Sequence, residues 1–411
     1  MPTLHCIALS AFGVLLTWAS ARAQTTWYVD ANATPPGNGT QASPYASLQY
    51  AHDRPTTLDF HTVLVAPGTY VENVHLTKRI VLRATGGAEV TTLRPAVAAP
   101  ILVLDAPVDE MDGNVFEGFT ITGLLPGAVA AVQSWDGRLE RCIVRDNAGY
   151  GVVTLYDSNL VDCTIVNNQV GVEAALITDF IRMRNCIVWG NGTNHAGPAY
   201  GTIAHCAGGP FQSASVPFTT NFTGDPGMWS VAGGDFHLRP GSPCIDAGDP
   251  ALFDPDGSRS DIGYHAYDAG YAPITTYCTG KLNSHGCVPQ IAGSGLPSVT
   301  NPAPFLITAS LVLPGRRGVL LYSPIQDAAP FQGATLCVGQ PYRRVGGQTS
   351  LGAGPCGGVF AYDFNLRVLN GSDPNLVPGA LVYAQWWHRD PNDPAGFQSG
   401  MTDGLCFGIA P

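Results

Sequence analysis

The segments FEGFTITG (116–123), LERCIVRDN (139–147), LVDCTIVNN (160–168), MRNCIVWGN (183–191) and IAHC (203–206) share one register. Aligned on Phe119, Cys142, Cys163, Cys186 and Cys206, they recur at steps of 23, 21, 23 and 20 residues. A large apolar residue stands three before each anchor: Phe116, Leu139, Leu160, Met183, Ile203. A β-branched residue stands two after it in four copies (Ile121, Val144, Ile165, Val188), and an Asn five after it in three (Asn147, Asn168, Asn191). A short β-rich unit that repeats at this period cannot bury its apolar face alone, so neighbouring units must stack. Within a unit the apolar pattern has period two, with Cys142 and Val144 on one face and Ile143 and Arg145 on the other, where a helix would need spacings of three and four. The predicted fold is all-β: a right-handed parallel β-helix with Cys, Val and Ile stacked inside. The Asn positions are predicted to be left-handed turn residues whose amides bond the equivalent residue one coil away.

Working outward, residues 24–60 read as an N-terminal cap with a first strand at TWYVD and a short helix within PYASLQYAHD. The solenoid and its closing segment span 61–268, a linker 269–276, and a second β-rich unit 277–411. In that last part short strands alternate with Gly, Pro and Asn turns at sandwich-like spacing, and the solenoid register stops. Ahead of the cap, CIALSAFGVLLTWAS and the small-x-small site Ala21-Arg22-Ala23 predict a signal peptide over 1–23, hence a secreted protein, extracellular or at the cell surface. No later segment reads as a membrane span.

The composition excludes several partners. With 20 Lys and Arg against 31 Asp and Glu, the net charge is −11, and only Lys78 and Lys281 are lysines. A basic surface for nucleic acid or anionic membrane is missing. Charged residues make up 12% and hydrophobic residues 45%, with 49 Gly and 33 Pro, which suits a turn-rich folded chain. The Cys of successive coils come within disulfide reach, but a ladder of buried thiols acting as small apolar groups meets the geometry better.

Two stretches resemble a known class. WYVDANATPPGNGTQASPYASLQYAHD (27–53) with VLVAPGTYVENV (63–74), and later GDFHLRPGSPCIDAGDP (234–250) with DPDGSRSDIGYHAYD (254–268), resemble secreted bacterial right-handed β-helix proteins of the pectin-lyase-like class. In that pattern a small residue, an aromatic and an acid follow Asp-Ile-Gly, where this chain has Tyr264-His265-Ala266-Tyr267. The C-terminal part, with CTGKLNSHGC (278–287), ATLCVG (334–339) and QWWHRDP (385–391), resembles a β-rich module of large secreted bacterial proteins. In an oxidising compartment, Cys278 is expected to pair with Cys287 and Cys337 with Cys356, each closing a short loop.

The outward row Arg141, Asp162, Arg182 and Arg184 is the candidate catalytic set, since lyases of this fold need a base and a charge neutraliser and hydrolases need paired carboxylates. The alternative is a solvated face laced with ion pairs, Arg141 with Asp162 for instance. The polygalacturonase motifs are absent. Thr178-Asp179-Phe180-Ile181 echoes the nucleophile strand of pectin methylesterases, but their partner motifs are missing and Asp179 reads as a turn residue. Asp254, Asp256 and Asp261 alternate about Gly257 and suit a structural Ca2+, the alternative being Asx-turns. Trp386, Trp387 and Tyr342 are candidates for stacking on a sugar, with one Trp in the core because neighbours on a strand face opposite ways. His195, His205, His237 and His265 lack metal-ligand spacing and receive no role. The reading is a secreted, non-catalytic protein that binds extracellular polysaccharide or a surface partner. The alternatives are a polysaccharide lyase, hydrolase or epimerase, and a structural surface protein.

Overall fold

The computed structural model describes residues 25–106, 113–175, 180–197, 200–211 and 220–411; the predicted signal peptide and Asp179 lie outside them. Three sheets of parallel strands wind about one axis in a solenoid of about six turns. The first sheet stacks Thr62–Val65, Val81–Ala84, Asn114–Glu117, the C-terminal halves of Ala130–Glu140 and Tyr150–Val161, Phe180–Arg184 and Tyr200–Ala204. The second runs from Gly68–Val71 through Thr91–Arg94, Thr120–Thr122, Ile143–Arg145, Thr164–Val166 and Ile187–Trp189 to Ala207–Gly208 and Phe222–Thr223. The third holds Val74–Leu76, Leu102–Asp105, the N-terminal halves of the two long strands, Val170–Ala174 and Thr193–Ala196. The two long strands bend from the third sheet into the first at a register shift between Ser134 and Asp136.

The predicted interior is the observed one. Phe116, Leu139, Leu160, Met183 and Ile203 pair in one inward row, and Phe119, Cys142, Cys163, Cys186 and Cys206 form the next, all buried in one core. The five residues of each row come from successive coils, so each coil closes the apolar face of its neighbour. The four cysteines are free thiols. At the N-terminal end Leu48–Asp53 is the predicted short helix, and it buries Leu48 and Ala51 in the same core. Glu72 accepts hydrogen bonds from the Leu48 and Gln49 amides at 2.8 and 3.0 Å, and so satisfies the orphan donors of that helix's first turn.

The Asn ladder connects coils as expected, but its backbone does not. Asn147 Nδ2 donates to Asn168 Oδ1 at 2.9 Å, and Asn168 Nδ2 donates to Asn191 Oδ1 at 3.0 Å. The left-handed residue is the one before: Asp146 (φ 55°), Asn167 (φ 55°) and Gly190 (φ 67°). The turn is taken by the exposed residue, which leaves the next amide to point into the stack. A second left-handed corner joins the first sheet to the second, at Arg141 (φ 49°), Asp162 (φ 51°), Asn185 (φ 53°) and His205 (φ 53°).

Residues 228–268 do not extend the solenoid. They lie across the outer face of the second sheet, where Met228, Phe236, Leu238, Cys244 and Ile262 bury Ile143, Val166, Ile187 and Ala207. Gly263 N donates to Asn185 O at 2.8 Å and Tyr264 N to Thr164 Oγ1 at 3.0 Å, so the segment crosses several coils. Beyond it, two antiparallel sheets share one core. One contains Arg317–Ser323, Leu381–Arg389 and Gly404–Gly408, the other Gln290–Ser294, Leu306–Val312 and Gly358–Asp363. The part after the solenoid is thus a β-sandwich. Its disulfides correct the expected pairing: Cys278 joins Cys337 and Cys287 joins Cys356, across 59 and 69 residues instead of within short loops. Cys337 lies on the strand Ala334–Val338 and the other three in the bends and loops between strands, so the bonds tie distant segments together. Cys206 and Cys244 are both free thiols.

Candidate functional site

The outer face of the first sheet is the exposed polar flank of the solenoid. Strand register places two outward rows on it. One runs Val81, Val115, Arg138, Asn159, Arg182, Thr202, the other Arg83, Glu117, Glu140, Val161, Arg184, Ala204. Between them opens a groove of about 480 Å³ lined by Arg138, Asn159, Arg182, Arg184, His205 and Asp249. A hollow of about 240 Å³ adjoins it at Arg138 and Asn159 and reaches Arg79 and Asp136.

The arginines of this flank are held by carboxylates. Arg182 pairs with Asp157, Arg184 with Asp249 at 3.3 Å, Arg138 with Glu140 at 2.9 Å and Arg83 with Glu117 at 2.5 Å. These pairs fix the guanidinium planes more than they add stability, because each is part-exposed. Burial pushes the Glu140 carboxyl above its usual range, opposed by Arg138 and helped by Glu117 in the next coil and by Asp162. Burial raises Asp136 likewise, with Asp157 adding to it.

The predicted row therefore divides. Arg182 and Arg184 line the groove, whereas Arg141 and Asp162 sit in the left-handed corner beside it, off the strand face. No Arg141–Asp162 ion pair forms among the described residues; Asp162 Oδ1 accepts from Asn185 Nδ2 at 3.0 Å. Burial raises the Asp162 carboxyl, while Asn185 and the arginines lower it. Asn185 is buried under the closing segment, so this corner is partly roofed.

One feature escaped the sequence reading. Trp135 and Tyr156 each stand seven residues before an anchor Cys. They occupy equivalent bends on neighbouring coils, just ahead of the paired Asp136 and Asp157. Phe180 pairs in register with Asp157. The three are 44, 51 and 39% exposed, and the Arg182 guanidinium lies 4.5 Å from the Phe180 ring centre. The period that revealed the Cys row carries Trp135 and Tyr156 too, while Phe180 falls one position later, six before Cys186.

The other candidates fare differently. Trp386 is fully buried and stacks on Phe360 at 4.9 Å, so it cannot meet a ligand; the strand turns it into the sandwich core. Trp387 and Tyr342 do come together, lining a hollow of about 200 Å³ with Phe331 and Arg344. Trp387 Nε1 donates to Gln332 Oε1 at 3.0 Å. The carboxylates of Asp254, Asp256 and Asp261 are engaged by local donors: the Asp261 amide to Asp254 Oδ2 at 2.9 Å, Ser258 to Asp256, and the Asp246 and Tyr267 amides to Asp261. They build turns and do not gather round a common point. Among the described residues the one group with metal-ligand geometry is Glu89, His237 and His265. Burial lowers the His265 imidazole to about 3, helped by His237.

The chain matches no protein-family model and no curated protein sequence. Among solved structures, pectate lyase Pel9A is similar at 12% identity and a TM-score of 0.30, over 60% of this chain and 97% of that one. A rhamnogalacturonan lyase is similar at 12% identity and a TM-score of 0.29, over 44% and 74%. The tailspike gp49 of Acinetobacter baumannii bacteriophage Fri1, a capsular polysaccharide depolymerase, follows at 10% and 0.23, over 85% and 80%. The strand register described above, rather than these similarities, defines the class: a parallel β-helix protein with an antiparallel β-sandwich behind it.

Proposed function

We propose that this protein is secreted and binds an extended polysaccharide along the first-sheet flank of its solenoid, without cleaving it. The observation that carries this reading is the group of exposed aromatics on successive coils, Trp135 and Tyr156 at equivalent bends and Phe180 one register position on, alongside a groove of positioned Arg and Asn side chains. Coils stack about 4.8 Å apart, so the group offers an apolar edge to a chain laid along the axis, while Arg138, Asn159 and Arg182 offer donors to its hydroxyls. Asp249 in the groove and Asp157 beside it on the strand are each paired with an arginine, which supports a positioning role over acid–base work. Two disulfides support an oxidising, extracellular setting. No helix among the described residues is long and apolar enough to cross a membrane.

A catalytic reading has one observation in its favour: Glu140, raised by burial and stacked on Glu117, resembles the protonated half of a hydrolase pair. One experiment separates the two. Neutral and uronate-rich polysaccharides are offered to the purified protein, and both retention and released oligosaccharide are measured. Retention without product, weakened about 30-fold or more in Trp135→Ala, supports binding; aromatic anchors of this kind contribute about 2 kcal/mol. Product that disappears in Glu140→Gln establishes the enzyme instead. Retention unchanged in Trp135→Ala and Tyr156→Ala removes the proposed surface.

A further inference from the structure

Three segments distant in sequence converge at one point. Glu89 lies between strands Val81–Ala84 and Thr91–Arg94 of an early coil, His237 lies on Asp235–Leu238, and His265 lies in the closing segment. Their ligand atoms all fall within 4.8 Å of one another. Glu89 Oε1 is 3.3 Å from His265 Nε2 and 4.0 Å from His237 Nε2.

The surroundings hold both imidazoles beside Glu89. His237 Nδ1 donates to Asp235 Oδ1 at 3.0 Å, which leaves the Nε2 lone pair on the side of Glu89. Tyr271 Oη donates to Asp235 Oδ2 at 2.9 Å and so orients that carboxylate in turn. This carboxylate–histidine relay is the arrangement that fixes ligating imidazoles in metal centres. The His265 side chain is only 9% exposed, and its Nε2 is buried with no hydrogen-bond partner. A buried ring nitrogen left so is costly unless something fills it. The rings form a stack, Tyr271 on His237 at 3.8 Å and His237 on His265 at 3.8 Å, that keeps the two imidazoles side by side.

We propose that Glu89, His237 and His265 form a divalent transition-metal site of the zinc type that staples the closing segment to the solenoid. Two nitrogens and one carboxylate suit zinc and its borderline neighbours, whereas Ca2+ and Mg2+ call for all-oxygen sets. Bonds of about 2.0–2.1 Å in a tetrahedron put ligand atoms about 3.3 Å apart. Glu89 and His265 already meet that spacing, and His237 reaches it by a small ring swing. Glu89, 52% exposed, sits on the open side, where water completes the coordination. The metal joins three segments that otherwise meet through apolar packing and single hydrogen bonds, such as the Ala88 amide to Tyr264 Oη at 2.8 Å.

The test uses the full secreted chain, stripped with chelator and titrated with Zn2+ by calorimetry and with Co2+ by visible absorption. One equivalent is expected, with Co2+ bands of a low-coordinate site. Glu89→Gln and His265→Gln are each expected to weaken binding by more than about 100-fold, and Asp235→Asn by about 10- to 100-fold, since it alters only the orienting carboxylate. Glu89→Gln changes an exposed residue, so its metal-free melting temperature serves as the folding control. Added Zn2+ should raise the wild-type melting temperature and leave that of Glu89→Gln unchanged. No binding at millimolar metal, or one equivalent that none of the three substitutions weakens, overturns the proposal.

Discussion

Replacing Asn168 by Ala tests whether the amide ladder holds the coils together. Asn168 is buried and makes five contacts with neighbouring coils and its own turn. Its Oδ1 accepts from the Asn147 backbone amide at 3.2 Å and from Asn147 Nδ2 at 2.9 Å. Its Nδ2 donates to Val144 O, Val166 O and Asn191 Oδ1, each at 3.0 Å. Truncation strands the Asn147 amide in the dry interior, at about 1–3 kcal/mol, and removes further bonds worth about 1 kcal/mol each. Asn147 Nδ2 keeps Ile121 O at 3.3 Å, so the loss is not complete. The expected cost is about 3–5 kcal/mol. Asn194 accepts from Asn191 in the same way at the ladder's end but is half-exposed, so water replaces it and Asn194→Ala should cost about 1 kcal/mol. Urea unfolding of the two variants gives the difference, and hydrogen exchange at the Asn147 amide gives its location. Asn168→Asp adds a second arm: the carboxylate still accepts from Asn147 but cannot donate to Asn191, so its penalty should shrink at acid pH as a proton restores the donor. Equal costs for Asn168→Ala and Asn194→Ala, or an Asn147 amide that stays protected, would refute the ladder's role.

Three further outcomes follow from the same structure. Cys142, Cys163, Cys186 and Cys206 are buried, and burial pushes the first three thiols far above their ordinary range, so a thiol reagent should leave all four untouched in the native protein; unfolding without reductant should expose six thiols in the chain lacking 1–23. Burial raises Asp254 to about 6 from 3.8, so the folded state holds a proton that the unfolded state has lost; stability should fall as pH rises from about 4 through about 6, and Asp254→Asn should flatten that slope in a pH series of melts. Lys281 Nζ pairs with Asp393 at 2.6 Å in the buried sandwich edge; Lys281→Met should cost about 3–5 kcal/mol in urea unfolding, and adding Asp393→Leu should recover part of it.

The solenoid was legible because its period repeats: one register of Phe, Leu, Met and Ile three before each anchor predicts an inward row, and that row is the core. Local rules failed where distant segments meet. Cys278 and Cys287 are close in sequence, yet each bonds a cysteine at least 59 residues away, because the sandwich brings strands together that spacing cannot reveal. Glu89 stands 148 residues before His237, so no ligand motif could expose the trio. Trp135 and Tyr156 were within reach of the same periodic alignment that exposed the cysteines, seven positions upstream. The Asp254 loop reads alike as a cation loop or as a turn, since both need carboxylates at alternate positions; the amides that bond those carboxylates are those of a turn.

The placement of the groove follows from which outward residues are apolar. On the second sheet the outward row is Thr120, Ile143, Thr164, Ile187 and Ala207, and all five are buried. Left bare, Ile143, Ile187 and Ala207 of that row, with Val166 beside them, would expose an apolar patch, a surface that invites association. The closing segment covers it with Met228, Phe236, Leu238 and Ile262. On the first sheet the equivalent positions carry Arg138, Asn159, Arg182 and Thr202, which gain nothing from a cover and remain open. The covering segment therefore does more than end the repeat. By claiming the apolar flank it leaves the polar, aromatic-edged face of the first sheet open, the face proposed to bind polysaccharide. An Ile143→Arg substitution on the covered row should consequently loosen residues 228–268, seen as faster hydrogen exchange there, while leaving retention of polysaccharide on the other flank intact.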